Sequence, residues 1–317
     1  MGRELMIDTG PLFVSSGDLI ADRRYNAAMD LASRGDLSAA ADILAQTVST
    51  KPSFAAAWFA LGAIRGRLND RQGAVAAFTE ASRADPEDYH GARLQLARLG
   101  AGDAAPAMTE SYLRRLFDQY AARYDAAVTE TLHYRGPALL CEAVKSSLDR
   151  LGRPMWFEAL LDLGCGTGLA GAVFRSFAAR LVGVDLSAAM VARAQAKGLY
   201  DRLIVSSLST FLANEIASGA TRDLVIAADV FVYVNDLAAV IAAIARVIPA
   251  RGILAFTVET YSGAGIELLP TLRFAYGEPY LRDAITGAGF KLLKLEKAAI
   301  RTEKGAPVQG LVLVASA

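Results

Sequence analysis

The chain has 317 residues, 53% of them hydrophobic and 21% charged, which is apolar material for two ordinary packed domains and excludes a disordered chain. Lysine plus arginine equals aspartate plus glutamate at 33 each, so no net field draws nucleic acid phosphates or an anionic membrane surface. The 2 cysteines, Cys141 and Cys165, make neither a disulfide framework nor a metal-ligand cluster.

Met1 to Ser16 lacks the basic-then-apolar pattern of a secretory leader, because Arg3 and Glu4 are followed only by a brief apolar stretch from Pro11 to Val14. The longest strongly apolar run, Leu224 to Val234, is interrupted by Asp229 and falls well short of the roughly 18 residues a membrane span needs. A cytoplasmic chain without membrane association is expected.

The first hundred residues read as helices, and one register stands out: Trp58, Leu61, Gly62, Ala74, Phe78, Ala81 and Pro86. This series resembles the tetratricopeptide pattern, in which large residues interlock two antiparallel helices, small ones let them approach, and a proline closes the second. Arg65 departs from it, standing where an aromatic is expected. One period of 34 residues earlier, Ala40, Leu44 and Pro52 occupy matching places, and a half-formed third copy falls around Tyr89 to Leu99. Two copies are fewer than the roughly three that stand alone, so residues 17–100 are expected to act as a cap on the next domain or as a groove for a protein partner. Gly100 to Pro106 is the expected linker, and a second domain is expected over 107–317.

From Phe157 onward short apolar strands alternate with helical segments. Strands are expected at Ala159 to Leu163, Leu181 to Val184, Leu203 to Val205, Asp223 to Ala227 and Ile253 to Val258. Two further runs, Phe290 to Leu295 and Gly310 to Val314, lie close together with a charged, turn-sized segment between them. Together they predict an α/β fold: a Rossmann-like, doubly wound, seven-stranded and mostly parallel sheet whose last strand is antiparallel, preceded by an all-α region.

The most informative segment runs from Leu161 through Asp162-Leu163-Gly164-Cys165-Gly166-Thr167-Gly168 to Gly171, where a buried strand enters a glycine-rich turn that opens a helix. Asp185 follows the next strand, 21 residues after Gly164, at the reach needed for a carboxylate to accept both hydroxyls of a ribose. Gly166, Gly168 and Gly171 also satisfy the dinucleotide fingerprint G-x-G-x-x-G. Asp162 decides between the two readings: a carboxylate there repels a pyrophosphate but suits the ammonium of a methionine moiety.

The segment Asp162 to Gly168 resembles the first motif of class I S-adenosylmethionine-dependent methyltransferases. The resemblance implies that Asp162, Gly164, Cys165, Gly166 and Gly168 cradle the methionine part, that Asp185 holds the ribose, and that Leu186 and Met190 sandwich the adenine. Both apolar residues equally suit a packed helix. Ser207 stands where the family has an aspartate on the adenine amino group, which leaves the backbone amide of Leu208 for the ring. Ala227-Ala228-Asp229-Val230 matches the fourth motif beside the methyl group, with Ala227 lining the donor and Asp229 either facing the substrate or capping a helix.

The whole chain is similar to bacterial methyltransferases that carry tetratricopeptide repeats. Phe117 to Asp125 resembles the helix that folds over the donor in many of these, with Tyr120 and Tyr124 on one helix face, in place to close the pocket or to pack as ordinary aromatics. Tyr134-Arg135-Gly136-Pro137, Arg273-Phe274-Ala275-Tyr276 and the run Arg301 to Val308 continue the resemblance, although Tyr276 stands where histidine is expected.

The donor's sulfonium is an activated leaving group, so the protein has mainly to align an acceptor and exclude water. No metal and no covalent nucleophile are expected, in keeping with only His90 and His133 and no serine-histidine-acid or zinc-ligand arrangement. Candidates to take an acceptor proton are His133, Asp229, Tyr233 and Glu259, while Arg135, Arg273 and Tyr276 are candidates to bind an acceptor, the two arginines through a carboxylate. The expected acceptor is an oxygen or nitrogen of a small molecule or protein, with S-adenosylhomocysteine as coproduct. Two competing readings are a non-catalytic donor-binding adaptor that uses the repeats and a dinucleotide-dependent oxidoreductase.

Overall fold

The structure is a computed structural model and describes residues 14–104, 106–128, 132–303 and 305–317. The leader reading of residues 1–16 therefore falls almost wholly outside the described residues, as does Lys304 of the Arg301 to Val308 run. The chain divides into two compact units between Arg115 and Leu116.

The first unit is helical: α1 (Leu19–Ser33), α2 (Leu37–Thr50), α3 (Ala55–Arg67), α4 (Arg71–Ala84), α5 (Ala92–Arg98) and the start of α6 (Glu110–Tyr120). Aspartate begins three of these helices. Asp18, Asp36 and Asp70 each accept hydrogen bonds from backbone N–H groups of the first turn that have no partner inside the helix. Pro52 and Pro86 follow the ends of α2 and α4, where a residue without an N–H cannot continue the ladder. Between α3 and α4 the packing is close because Gly62 has no side chain: a Cβ there would lie 2.8 Å from the Phe78 ring, itself 1% exposed. Ala40, Leu44, Ala57 and Leu61 are buried in the same unit.

The second unit carries α7 (Tyr124–Ala126), α8 (Gly136–Arg150), β1 (Phe157–Leu163), α9 (Leu169–Phe174), β2 (Ala178–Asp185), α10 (Ala188–Ala196), β3 (Arg202–Val205), α11 (Leu208–Ser218), β4 (Leu224–Ala227), α12 (Leu237–Ala245) and β5 (Ile253–Thr260). After these come β6 (Ile266–Leu268), β7 (Phe274–Tyr276), α13 (Glu278–Gly287), β8 (Lys291–Glu303) and β9 (Ala306–Ser316). The first five strands pair in parallel in the order β3-β2-β1-β4-β5. β9 runs antiparallel along β5, and β8 antiparallel along β9. Leu140, Val144 and Leu148 of α8 and Phe174 of α9 close one core with apolar residues of β1, β4, β5 and β9. Among the described residues no helix is long and apolar enough to cross a membrane.

Three expectations need correction. Among the described residues the sheet has nine strands rather than seven. β4 pairs with β5 only at Ile253 to Phe256, so Glu259 and Thr260 extend past it, and the wholly buried Phe274, Ala275 and Tyr276 take that place as β7, with β6 folded back on them. The terminal hairpin has no turn-sized charged segment across residues 296–309; both strands continue through it, and β8 absorbs irregularities between Leu292 and Lys294 and between Ala299 and Arg301. Tyr120 and Tyr124 do not share one continuous helix. α6 ends at Tyr120 and a 3-10 turn, Ala121–Arg123, intervenes, yet the rings still meet edge to face at 5.4 Å.

Truncation of the residue that fills the gap over Gly62 should unseat the first unit. Phe78→Ala is expected to lower its stability by about 3–5 kcal/mol, read from the first transition in urea unfolding followed by circular dichroism.

Candidate active site

β1 ends in the buried residues Asp162 and Leu163 and gives way at once to the turn that opens α9. Gly164, Gly166 and Gly168 all take positive φ, at 65°, 52° and 89°, a region that costs any residue with a Cβ. At Gly164 space is also closed, since a Cβ would stand 2.5 Å from Val230. Nothing lies within 4 Å of the corresponding point at Gly166, so there the backbone is bare. Asp162, Gly164, Cys165, Gly166 and Thr167 line one pocket with Tyr124, Tyr134 and Ala228.

Asp162 is 1% exposed. Burial raises its carboxyl to about 7; the hydroxyl of Tyr200, donated to Oδ2 at 2.6 Å, opposes that rise, and the nearby Asp185 adds to it. Asp185, at the end of β2, accepts from Gly166 N–H through Oδ2 at 2.8 Å and from Ser187 N–H through Oδ1 at 2.9 Å. Burial raises it as well, against those two backbone bonds. The glycine turn and the acid are thus locked to one another through the Gly166 N–H.

Leu186 is half-buried beside Asp185, while Met190 is 1% exposed and belongs to the core under α10. Ser207 caps α11, its hydroxyl accepting from Thr210 N–H at 3.3 Å, and Leu208 is the first residue of that helix. Ala227, the last residue of β4, is fully buried. Cys165 is buried, and burial pushes its thiol well above the ordinary range, so it is not a thiolate.

The other side of the site is ionic. Arg301 on β8, 3% exposed, presents Nη1 to both carboxylate oxygens of Asp229 at 3.1 Å, Nη2 to Glu259, and Nε to Glu303 at 2.7 Å. Arg273 joins with Glu303 at 2.8 Å and Glu259 at 3.4 Å, and its Nε donates to the Tyr233 hydroxyl at 3.3 Å. Burial alone would lower both arginines, but the surrounding acids outweigh it and hold them charged. Asp229 caps no helix. It has φ 61°, its N–H donates to Thr257 Oγ1 at 2.8 Å, and its side chain is given to Arg301.

Of the other candidates, Tyr276 is fully buried, its hydroxyl donating to the carbonyls of Phe231 at 2.6 Å and of Val234. His133 and Arg135 are exposed, on a segment whose backbone meets β8: Leu132 accepts from Thr302 N–H at 2.7 Å, and Arg135 N–H donates to Ile300 at 2.8 Å. The structure therefore brings Asp162, Asp185 and the glycines together, and Asp229, Tyr233, Glu259 and Arg273 together, leaving His133 and Arg135 at the surface.

Several residues at the site were given no role from the sequence, although all but Tyr200 lie in segments that carry the resemblance. Asp118 accepts from Ser187 Oγ at 2.6 Å and from Ala189 N–H at 3.2 Å; Asp125 accepts from Thr167 Oγ1 and pairs with Lys197 at 2.7 Å. These two acids fasten the segment carrying Tyr120 and Tyr124 to the glycine turn and to α10. Tyr134, Tyr200, Arg301 and Glu303 complete the set. Glycine in the interior of β2, at Gly183, was the available sign of Tyr200, because it marks a close approach.

A parallel sheet in the order β3-β2-β1-β4-β5 with an antiparallel partner for β5, a bare turn after β1 and an acid at the end of β2 defines the class I, Rossmann-like methyltransferase fold. Residues 161–256 match the family described as a methyltransferase domain. A segment of 113 residues is 36% identical to methyltransferase-like protein 27 of Homo sapiens, covering 35% of this chain and 44% of that protein. The chain thus spans less than half of that relative. Magnesium protoporphyrin IX methyltransferase from Synechocystis PCC 6803, solved with bound SAH, superposes with a TM-score of 0.50 at 18% identity, over 65% of this chain and 98% of the other. Burkholderia thailandensis 1,6-didemethyltoxoflavin-N1-methyltransferase gives 0.47 at 21% identity, over 65% and 88%.

The ionic cluster makes a sharp stability prediction. Arg301→Met leaves Glu259, 2% exposed, without its main countercharge and should destabilise the second unit by about 3–5 kcal/mol, whereas Arg301→Met with Glu259→Leu should recover much of that loss in guanidinium unfolding. Glu303 also makes the unit acid-sensitive. Burial would raise it, but Arg301 and Arg273 hold it below its ordinary value, so its contribution is complete above the ordinary carboxylate range and is lost as pH falls through the depressed value. Glu303→Gln should flatten the corresponding part of the acid unfolding curve.

Proposed function

We propose that this chain transfers the methyl group of S-adenosylmethionine to an oxygen or nitrogen of a small-molecule or protein acceptor, releasing S-adenosylhomocysteine. The observation that carries the reading is a pocket lined by buried Asp162 and the turn residues Gly164 to Thr167, bare at Gly166, with Asp185 hydrogen-bonded to the Gly166 N–H. These groups fit the donor: an ammonium for Asp162, a side-chain-free turn beside the methionine part, and ribose hydroxyls for Asp185, whose oxygens keep lone pairs beyond the two backbone bonds that aim them.

When bound, the donor supplies a methyl carbon already activated on sulfonium. Leu186 offers an apolar face to the adenine, and Met190 backs that wall from the core. The Ser207 hydroxyl is given to its helix, so the adenine edge is left to the N–H of Leu208, which has no intrahelical acceptor. Tyr120 and Tyr124, pinned through Asp118 and Asp125, exclude water from the donor.

On the acceptor side, we assign Asp229 and Glu259 to shaping the site with Arg301 rather than to taking a proton, since both carboxylates are committed to the Arg301 guanidinium. Arg273 is likewise committed to Glu259 and Glu303, so it offers little to an acceptor carboxylate. Tyr233, with Phe117 edge-on at 5.3 Å, is the aromatic wall we assign to acceptor positioning. The helical residues 17–100 we read as tetratricopeptide-type repeats, on the support of Gly62 against Phe78 and the buried Ala40 and Leu44 one period earlier, with residues 107–317 as the catalytic domain.

Labelled methyl transfer tests the reaction: the full chain with methyl-labelled donor and cell extract should label a product, and Asp162→Ala should not. Calorimetry tests the pocket. S-adenosylhomocysteine should bind while a nicotinamide nucleotide gives no heat, and Asp185→Ala should weaken binding by roughly tenfold to a hundredfold. Heat with the nicotinamide nucleotide alone would overturn the assignment.

A further inference from the structure

Asp162 is held from behind. Tyr200, in the connection between α10 and β3, donates its hydroxyl to Oδ2 at 2.6 Å. Its ring reaches that point through a slot made by missing side chains: a Cβ at Gly171 would stand 2.3 Å from the Tyr200 hydroxyl oxygen, one at Gly183 2.8 Å from the ring, and one at Gly168 3.1 Å from it. Gly183 lies inside β2, paired with Asp162 on one side and Leu203 on the other, a place where glycine weakens a strand and packs nothing. Gly171 lies inside α9, where glycine is also unfavourable. Two otherwise poor choices, Gly171 and Gly183, share one result, a phenol delivered to a buried carboxylate.

The chemistry of that phenol is particular. A lysine or arginine in the slot would pair with Asp162 as an ion and compete with an incoming ammonium, whereas a phenol fixes one oxygen and leaves the negative charge in place. Burial and the charge of Asp162 push the Tyr200 hydroxyl far above its ordinary range, so it remains a donor. We propose that Tyr200 is a positioning residue for donor recognition: it takes Oδ2 of Asp162 so that Oδ1 is turned to the pocket for the ammonium of the donor's amino-acid moiety. This rests on the donor assignment above.

The test is the affinity of the full chain for S-adenosylhomocysteine between about pH 6 and 8.5, in wild type, Tyr200→Phe, Gly171→Ala and Asp162→Asn. The groups facing Asp162 are Tyr200, Asp185 from β2, Cys165 in the turn and Tyr134 before α8. The ammonium is gripped by ionised Asp162, so wild-type affinity should rise with pH through its titration near about 7. The Tyr200 bond favours the ionised form. Its removal in Tyr200→Phe should weaken binding by roughly tenfold at neutral pH and move the rise to higher pH, while the ring still fills the slot. Gly171→Ala, which crowds only the hydroxyl end of the ring, should do the same and serves if Tyr200→Phe fails to fold. Asp162→Asn should bind weakly with a flat profile. A Tyr200→Phe or Gly171→Ala protein with wild-type affinity and profile would overturn the role of Tyr200 and leave the donor assignment standing. A wild-type chain that binds no S-adenosylhomocysteine would overturn both.

Discussion

A strand that must become a helix within five residues, with no side chain between the backbone and a ligand, sets the conditions for the rest of the second unit. Positive φ at Gly164, Gly166 and Gly168 is possible only where the surroundings hold the turn, because each glycine brings more chain freedom to be lost on folding than any other residue would. The surroundings supply that hold. Asp185 takes the Gly166 N–H, Cys165 N–H donates to Val184 at 3.0 Å, and Val230 closes on Gly164. β1, β2 and the end of β4 are therefore arranged to stiffen one bend, and the acid of β2 acts as a brace whether or not it also meets a sugar.

Charge is distributed unequally around that bend. On one side are two acids, buried Asp162 and half-buried Asp185, with no cation among their hydrogen-bond partners in the described residues. On the other side two arginines and three acids are paired at contact distance, leaving one negative charge in excess. The first is a place where an incoming positive charge relieves a burial cost. The second is an already satisfied scaffold that gains little from a charged visitor and would lose much if one member were removed. Under the proposed reaction, a cationic donor would gain more from the first side than a charged acceptor would from the second.

The central strands and the glycine turn were legible in the sequence because apolar runs of strand length are bounded by turn residues and because a turn of this kind admits few residue types. The length of β8 was not. Lys291, Lys294, Glu296 and Lys297 are residues that strands generally disfavour, and they make a 13-residue strand look like a charged turn. Losing that strand hid the role of Arg301, whose partners Asp229 and Glu259 come from the ends of β4 and β5, 72 and 42 residues earlier in the chain. Such long-range pairing leaves no periodic trace. Asp162, Asp185 and the serine departure at Ser207 were visible as residues, but the tyrosine behind Asp162 and the capping duty of Ser207 depend on geometry that spacing does not encode.

The length of β8 carries one more consequence. It pairs with β9 on one side and forms a border of the sheet, where a long row of unsatisfied N–H and C=O groups invites another chain to add itself. Near the site that row is partly sealed by residues 132–135, which bond to Ile300 and Thr302. Farther along, Lys291, Lys294 and Lys297 and the irregularity at Leu292 make the border charged and uneven. The residues that disguise the strand in the sequence are thus the ones that make edge-to-edge pairing with a second copy unfavourable.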